Sequence, residues 1–129
     1  MAFRDPVDKN LLRMEARRFA ARCEGQVSLI ERADSLREVS RLASLITLPF
    51  SLIEDETARD GLRLVQMRAE DRARELIHEQ LQNFVRAEEN QREKLKRGML
   101  ETWTNLTGRL GHLRVWAQNK LLAAEQQNS

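Results

Sequence analysis

Residues 48–54 read Leu-Pro-Phe-Ser-Leu-Ile-Glu, and this short segment divides the chain into two helical stretches. A proline cannot continue a helix, and it disfavours the helical conformation of the residue before it. The Ser-Leu-Ile-Glu sequence at 51–54 matches a capping box, in which serine and glutamate each satisfy a free backbone amide. The segment therefore predicts a chain reversal near Pro49 and a new helix from about residue 52.

Upstream of this segment, the sequence predicts one long helix from about residue 6 to 47. Asp5 is a suitable N-cap, and Pro6 suits the first helical position. Apolar residues then recur every three or four positions on one face, which is typical of an amphipathic helix. Gly25 interrupts this pattern at a cost of about 1 kcal/mol, so a kink in the helix is expected there, if anywhere.

A second helix is predicted from about residue 52 to 97, because an apolar stripe at helical spacing follows the capping box. The charged residues of this stretch lie on the opposite face of the same helix. The apolar stripe consists of Leu62, Val65, Ala69, Ala73, Leu76, Ile77, Leu81 and Phe84.

A third helix is predicted from about residue 99 to 125, because apolar residues there recur at steps of three and four. Such spacing is typical of the narrow seam of a coiled coil. We call this set the C-terminal stripe: Met99, Trp103, Leu106, Leu110, Leu113, Ala117, Leu121 and Ala124. The whole chain, 1–129, is thus predicted to be a single all-α domain. It would be a long antiparallel helical hairpin that turns near Pro49, with a third C-terminal helix in a coiled-coil or bundle-like arrangement.

The composition supports long helices with solvated faces and excludes several classes of protein. Of the 129 residues, 41% are hydrophobic and 33% are charged, with five glycines and two prolines, which argues against collagen and turn-rich sheets. The single cysteine cannot form an intramolecular disulfide, and no apolar stretch approaches the ~18 residues of a transmembrane helix. Without the pattern of a signal peptide, the sequence predicts a cytoplasmic protein.

No motif in the sequence predicts catalysis, and no metal or other cofactor is expected. The chain has neither a phosphate-binding loop nor a dinucleotide-binding glycine motif, and one cysteine cannot supply a thiolate zinc cluster. Glu75 and His78 have the Glu-x-x-His spacing of carboxylate-bridged di-iron bundles. The helical phase directs both side chains away from the apolar stripe, so we interpret them as solvent-facing charge.

The preferred functional hypothesis is a non-enzymatic protein-protein interaction or assembly protein: an adaptor, a chaperone-like escort or a structural subunit. Thin helices with apolar residues on more than one face favour a protein partner, a homo-oligomer or both. Flanking arginines would set the register of the contact and the choice of partner. The predicted partner-binding residues are Trp103, Leu106, Arg109, Leu110, Leu113, Arg114 and Trp116.

The alternative hypothesis is a nucleic-acid-binding accessory protein that uses segment 92–120. This segment has seven basic and two acidic residues and contains both tryptophans, a combination that can bind phosphates and stack on bases. The same combination can also hold a helix on an anionic membrane surface. The predicted phosphate contacts are Arg92, Lys94, Lys96 and Arg97.

Overall fold

A computed structural model describes the backbone of residues 6–127, with side chains from Lys9 onward, and this part of the chain contains helices and no strand. The all-α prediction is therefore confirmed. Two short 3₁₀ turns lie at Phe50–Leu52 and Gly108–Leu110. The five α-helices are α1 (Pro6–Glu31), α2 (Leu36–Ser44), α3 (Glu56–Arg86), α4 (Glu89–Trp103) and α5 (His112–Gln127).

The predicted helix at 6–47 is wrong, because the chain leaves the helical conformation after Glu31 and starts again at Leu36. The Ser35 hydroxyl caps α2 by accepting a hydrogen bond from the Glu38 amide at 3.1 Å. α1 passes through Gly25 without interruption. The Asp5 N-cap predicted from the sequence lies outside the described residues, and Pro6 is the first described residue of α1.

The start predicted for the second helix is also displaced. The N-cap of α3 is Asp55, whose carboxylate accepts a hydrogen bond from the Ala58 amide at 2.9 Å. Ser51 lies instead in the first 3₁₀ turn, which the Pro49 carbonyl closes by accepting from the Leu52 amide at 2.9 Å. A local 3₁₀ turn and a better-placed aspartate thus compete successfully with the predicted capping box.

α1 and α3 run parallel, so the antiparallel hairpin predicted from the sequence is not the arrangement in this structure. Early in α3, Gly61 lies against Ala20 and Cys23 of α1. Seven residues further along α3, Arg68 Nε is 3.7 Å from a Glu31 carboxylate oxygen. Residue numbers therefore increase in the same direction along α1 and α3.

The course of the chain between α1 and α3 explains why these two helices are parallel. α2 runs back along α1, because Gln26 donates from its side-chain amide to the Leu42 carbonyl at 2.6 Å. The connection that follows reaches the first half of α1, where Ser51 Oγ is 3.5 Å from Glu15 Oε2. The reversal therefore takes place between α1 and α2, and the segment around Pro49 leads the chain back to the start of α3.

The predicted helices at 52–97 and 99–125 are each divided in the structure. Ala87 and Glu88 are extended, with ψ near 150°, and they separate α3 from α4. α4 then turns back along α3 and ends at Trp103, inside the C-terminal stripe. α5 begins only at His112, after a turn in which Gly108 has a φ of +57°, a conformation that strongly favours glycine.

α3 is the central element, and one continuous apolar core surrounds it. All eight members of the C-terminal stripe are buried, as are those of the α3 stripe apart from the half-buried Leu62. α3 packs closely on α1 at Gly61, where an added Cβ would lie 3.2 Å from the buried Cys23 Sγ. Between residues 6 and 127 no helix has both the length and the apolar character needed to cross a membrane.

Candidate partner-binding surface

Four of the seven predicted partner-binding residues belong to the protein's own core. Trp103, Leu106, Leu110 and Leu113 are at most 5% exposed, so a partner that docks on the folded chain cannot contact them. The Trp103 indole N–H also donates to Gln80 Oε1 at 2.8 Å, which ties α4 to α3. The spacing of the C-terminal stripe correctly indicates burial, but the surface that covers it is α3 of the same chain.

The other three predicted residues remain accessible to different degrees. Trp116 is partly buried on α5, and Arg109 and Arg114 are exposed. Only Trp116 is the centre of a defined cluster of side chains from two helices. This cluster, with its neighbours on α3 and α5, is called here the Trp116 surface: Glu70, Arg74, His78, His112, Trp116 and Lys120.

Three groups with cationic or titratable side chains surround the Trp116 indole. The His78 imidazole meets it edge to face, with ring centroids 5.3 Å apart and an interplanar angle of 85°. The Arg74 guanidinium lies 5.7 Å and the Lys120 ammonium 6.0 Å from the centroid of the same ring, within the range of cation–π attraction. The indole is therefore held in one orientation by both helices, while part of it stays open to solvent.

An ion-pair network fixes the neighbouring part of this surface. Glu70 Oε1 forms an ion pair with Arg74, 2.7 Å from its Nη2, and is hydrogen-bonded to His112 Nε2 at 3.0 Å. The His112 hydrogen bond and the Arg74 guanidinium lower the pKa of the Glu70 carboxyl below its ordinary value. A single carboxylate thus connects the first residue of α5 to the arginine beside the indole.

A shallow pocket of about 280 Å³ extends the Trp116 surface beyond His112 and Glu70. Its apolar part is Met67, which is 60% exposed, and Arg63 and Arg109 lie at its rim. Among the described residues, neither Arg109 nor Lys120 has an ion-pair partner. Together they provide uncompensated positive charge around an apolar centre.

Two of the four predicted phosphate contacts bind other groups of the chain, and the other two have exposed side chains without an ion pair. Arg92 donates to the Ala87 carbonyl at 3.2 Å, and Lys96 Nζ lies 3.1 Å from a Glu125 carboxylate oxygen. Lys94 and Arg97 are exposed on α4 without an ion pair to any described residue. Among the seven basic residues of segment 92–120, only Lys96 forms an ion pair with a described residue, so most of the positive charge of the segment remains uncompensated.

Lys94 also lines an open cleft of about 630 Å³ between α3 and α4. Leu95 and Met99 give this cleft apolar character. The Gln80 amide is already engaged, because its Nε2 donates to Thr102 Oγ1 at 3.0 Å and its Oε1 accepts from Trp103. The other polar side chains along the cleft are Asn83, Asn90 and Gln91.

Sequence reasoning missed the α3 half of the Trp116 surface, although a signal for it was present. Glu70, Arg74 and His78 follow one another at i, i+4 and i+8 and therefore share one face of α3. The sequence interpretation placed His78 and Glu75 on a solvent-facing side. The structure agrees for both residues, which are exposed: Glu75 is paired with Arg72, and His78 also contacts the edge of Trp116.

The described residues include no group of three or more histidine, cysteine, aspartate or glutamate side chains that could hold a metal ion. The lone Cys23 is buried in the α1–α3 contact, and burial raises the pKa of its thiol. Comparisons of the chain with models of known families, with curated proteins and with solved structures give no match. The function is therefore argued from the geometry of the surface alone.

Proposed function

We propose that this chain is a non-enzymatic protein-interaction or assembly protein, acting as an adaptor, a chaperone-like escort or a structural subunit in the cytoplasm. The observation that supports this proposal is a partly exposed tryptophan, Trp116, fixed between two helices and flanked by the cations of Arg74 and Lys120. Tryptophan and arginine are the residues most enriched in the energetic centres of protein interfaces. A rigid indole also loses little conformational freedom when a partner binds it.

The chemistry of the Trp116 surface favours a partner that presents an apolar side chain beside acidic residues. Trp116 and Met67 offer apolar contact area, and Lys120 and Arg109 supply positive charge without a carboxylate partner among the described residues. Rim charges of this kind mainly increase the association rate and select the partner. The contact would be made by helix packing on α3 and α5 rather than by a continuous coiled-coil seam.

A second apolar region at the other end of α3 supports assembly into larger complexes. Phe50, in the first 3₁₀ turn, is 87% exposed, and Leu45 and Ile53 in the same connection are 56% and 49% exposed. These side chains lie in the connection that leads to the start of α3, whereas Trp116 contacts the second half of α3. We therefore propose that the protein can contact a partner and a second copy of itself through separate surfaces.

Site-specific photocrosslinking in cells that contain the protein tests the proposed surface. A photoreactive amino acid at position 120 lies beside Trp116, and the same amino acid at position 122 lies on the outer side of α5, where Leu122 is 56% exposed. We expect a discrete crosslinked protein from position 120, much less from position 122, and loss of the first product in Trp116→Ala. Equal products from both positions, or a product that survives Trp116→Ala, would contradict the proposal.

The nucleic-acid alternative based on segment 92–120 depends on the cations of the segment that have no carboxylate partner among the described residues. Only Lys94 and Arg97 remain free among its four predicted phosphate contacts. Two phosphate contacts would give only a shallow dependence of affinity on salt. This version predicts that the double variant Lys94→Gln, Arg97→Gln abolishes binding to nucleic acid, and retention of binding would rule it out.

A further inference from the structure

The exposed side of α1 carries a concentration of positive charge that the fold does not use. Between positions 9 and 22 there are five basic residues and one acidic residue, Glu15. The opposite side of the helix is buried against the core through Ala16, Phe19 and Cys23. All five cations are exposed: Lys9, Arg13, Arg17, Arg18 and Arg22.

These cations differ from four arginines of α3 in forming no ion pair with a described residue. None of the five forms an ion pair with any residue that the structure describes. Four arginines of α3, by contrast, each lie 3.7 Å or less from an acidic side chain: Arg63, Arg68, Arg72 and Arg74. The charge of these four arginines is therefore compensated within the chain, whereas the five cations of α1 are available to an external anion.

The five cations form two stripes along α1. Lys9, Arg13 and Arg17 follow one another one helical turn apart, and Arg18 and Arg22 do the same further round the helix. At about 100° per residue, the two stripes are separated by roughly 140°. The face between them includes the exposed Met14 and, towards the end of the two stripes, the small residues Ala21 and Gly25, and an added Cβ at Gly25 would meet nothing within 4 Å.

We propose that α1 binds double-stranded DNA by lying in the major groove, where each cationic stripe contacts the phosphates of one strand. A helix with its side chains is about 10–12 Å across, and the major groove is about 12 Å wide. The small residues Ala21 and Gly25 allow this part of the helix backbone to approach the floor of the groove. This inference does not depend on the Trp116 surface, since none of its residues belongs to α1.

An anionic membrane fits the same charge less well. A helix that lies on a membrane inserts a stripe of large apolar side chains between its flanking cations. Among the described side chains of α1, the face between the two stripes has only Met14 as a large apolar residue. Leu11, the other exposed apolar residue of this part of α1, lies beside Arg18 and Arg22 rather than between the stripes.

Fluorescence anisotropy with a 20-base-pair duplex, measured over a range of salt concentrations, tests this proposal. The full chain is compared with the triple variant Arg13→Gln, Arg17→Gln, Arg18→Gln. The matched control is Arg41→Gln, Arg63→Gln, Arg68→Gln, which removes the same net charge from exposed arginines that are paired with acids. Vesicles that contain anionic lipid and single strands of the same length are measured in parallel, and circular dichroism checks that each variant is folded.

The full chain is expected to bind the duplex with a log–log salt slope of about −4 to −5, as for five phosphate contacts. The α1 triple variant should bind the duplex roughly tenfold or more weakly than the wild type at moderate salt. The magnitude of its salt slope should be smaller by about 3. The affinity and the salt slope of the control variant should stay close to those of the wild type. Equal weakening by both triple variants, binding to vesicles without binding to duplex, or equally tight binding to single strands would each overturn the proposal. Trp116→Ala should leave the duplex affinity unchanged.

Discussion

The imidazole of His78 on α3 meets the indole of Trp116 on α5 edge to face, with ring centroids 5.3 Å apart. These residues are 38 positions apart in the sequence, and neither belongs to an apolar stripe predicted for its helix. Their contact joins the two helices at the surface, outside the core that the stripes form. Arg74 and Lys120 complete the surroundings of the same indole.

Replacing each of the two tryptophans by alanine is expected to change the stability of the fold by very different amounts. Trp103 is 1% exposed and donates to Gln80, so Trp103→Ala should lower the free energy of unfolding by about 3–5 kcal/mol. Trp116 is partly exposed, so Trp116→Ala should lower it by about 1 kcal/mol. Urea unfolding followed by circular dichroism measures both values, and similar losses in the two variants would refute this division into core and surface.

Removing a helix cap should show where the second and third helices begin. Ser35→Ala deletes the hydroxyl that accepts from the Glu38 amide, and a loss of about 1 kcal/mol in unfolding free energy is expected. Ser51→Ala is the matched control, because Ser51 lies in a 3₁₀ turn and its hydroxyl makes only a 3.5 Å contact with Glu15. A larger loss for Ser51→Ala than for Ser35→Ala would favour the helix start predicted from the sequence.

Two mid-helix glycines should respond in opposite directions to a larger side chain. At Gly25 an added Cβ meets nothing within 4 Å, so Gly25→Ala should raise the free energy of unfolding by up to about 1 kcal/mol. At Gly61 an added Cβ lies 3.2 Å from Cys23 Sγ and 3.4 Å from Ala20 Cα, so Gly61→Leu should separate α1 from α3. A loss of about 1–3 kcal/mol is expected in thermal or urea unfolding, and an unchanged stability would show that the helices do not meet at Gly61.

The Glu70 network predicts a specific dependence of stability on pH. The folded-state pKa of Glu70 is lowered below the ordinary 4.5, so the unfolded chain binds this proton more readily than the folded chain. The contribution of Glu70 is therefore complete well above pH 4.5 and is lost as the pH falls through the lower folded value. Glu70→Gln should reduce stability more at about pH 6 than at about pH 3, as urea unfolding at both pH values would show. An equal effect at both would contradict the proposed role of His112 and Arg74.

The sequence was informative about which residues are buried and much less about where helices end. The α3 stripe and the C-terminal stripe follow directly from helical spacing, and their members lie in the core. The apolar spacing does not indicate the break between α1 and α2, because Leu36 and Val39 continue the helical spacing of the apolar residues of α1 beyond the break. The Ser35-x-x-Glu38 pattern does indicate a helix start at this point, but the uninterrupted apolar spacing favours one continuous helix.

The relative direction of α1 and α3 could not be predicted from apolar spacing. A stripe has the same period in both directions, so it shows which face is buried and not which way the neighbouring helix runs. The direction here depends on the short α2, which returns the chain along α1 before α3 begins. Ala87 and Glu88 likewise end α3 without a proline or glycine to mark the break.

Of the candidate site, Trp116 could be identified from its position outside the C-terminal stripe, whereas its neighbours on α3 could not. The phase of α3 alone places Arg74 and His78 among charged surface residues. Their role becomes visible only when α5 lies parallel to α3 and brings the indole beside them. That arrangement depends on tertiary packing, which includes the turn at Gly108.

The central claim is that Trp116 contacts a partner protein, and the mass of the natively purified protein tests it most directly. Tagged wild type, Trp116→Ala and the neighbouring control Val115→Ala, whose side chain is 61% exposed, are purified from cells that contain the partner and analysed by size exclusion with light scattering. We expect wild type and Val115→Ala to elute in a complex of defined mass that includes a second protein, and Trp116→Ala to elute without that protein. Recovery of the wild type without any second protein, or an intact complex with Trp116→Ala, would contradict the claim.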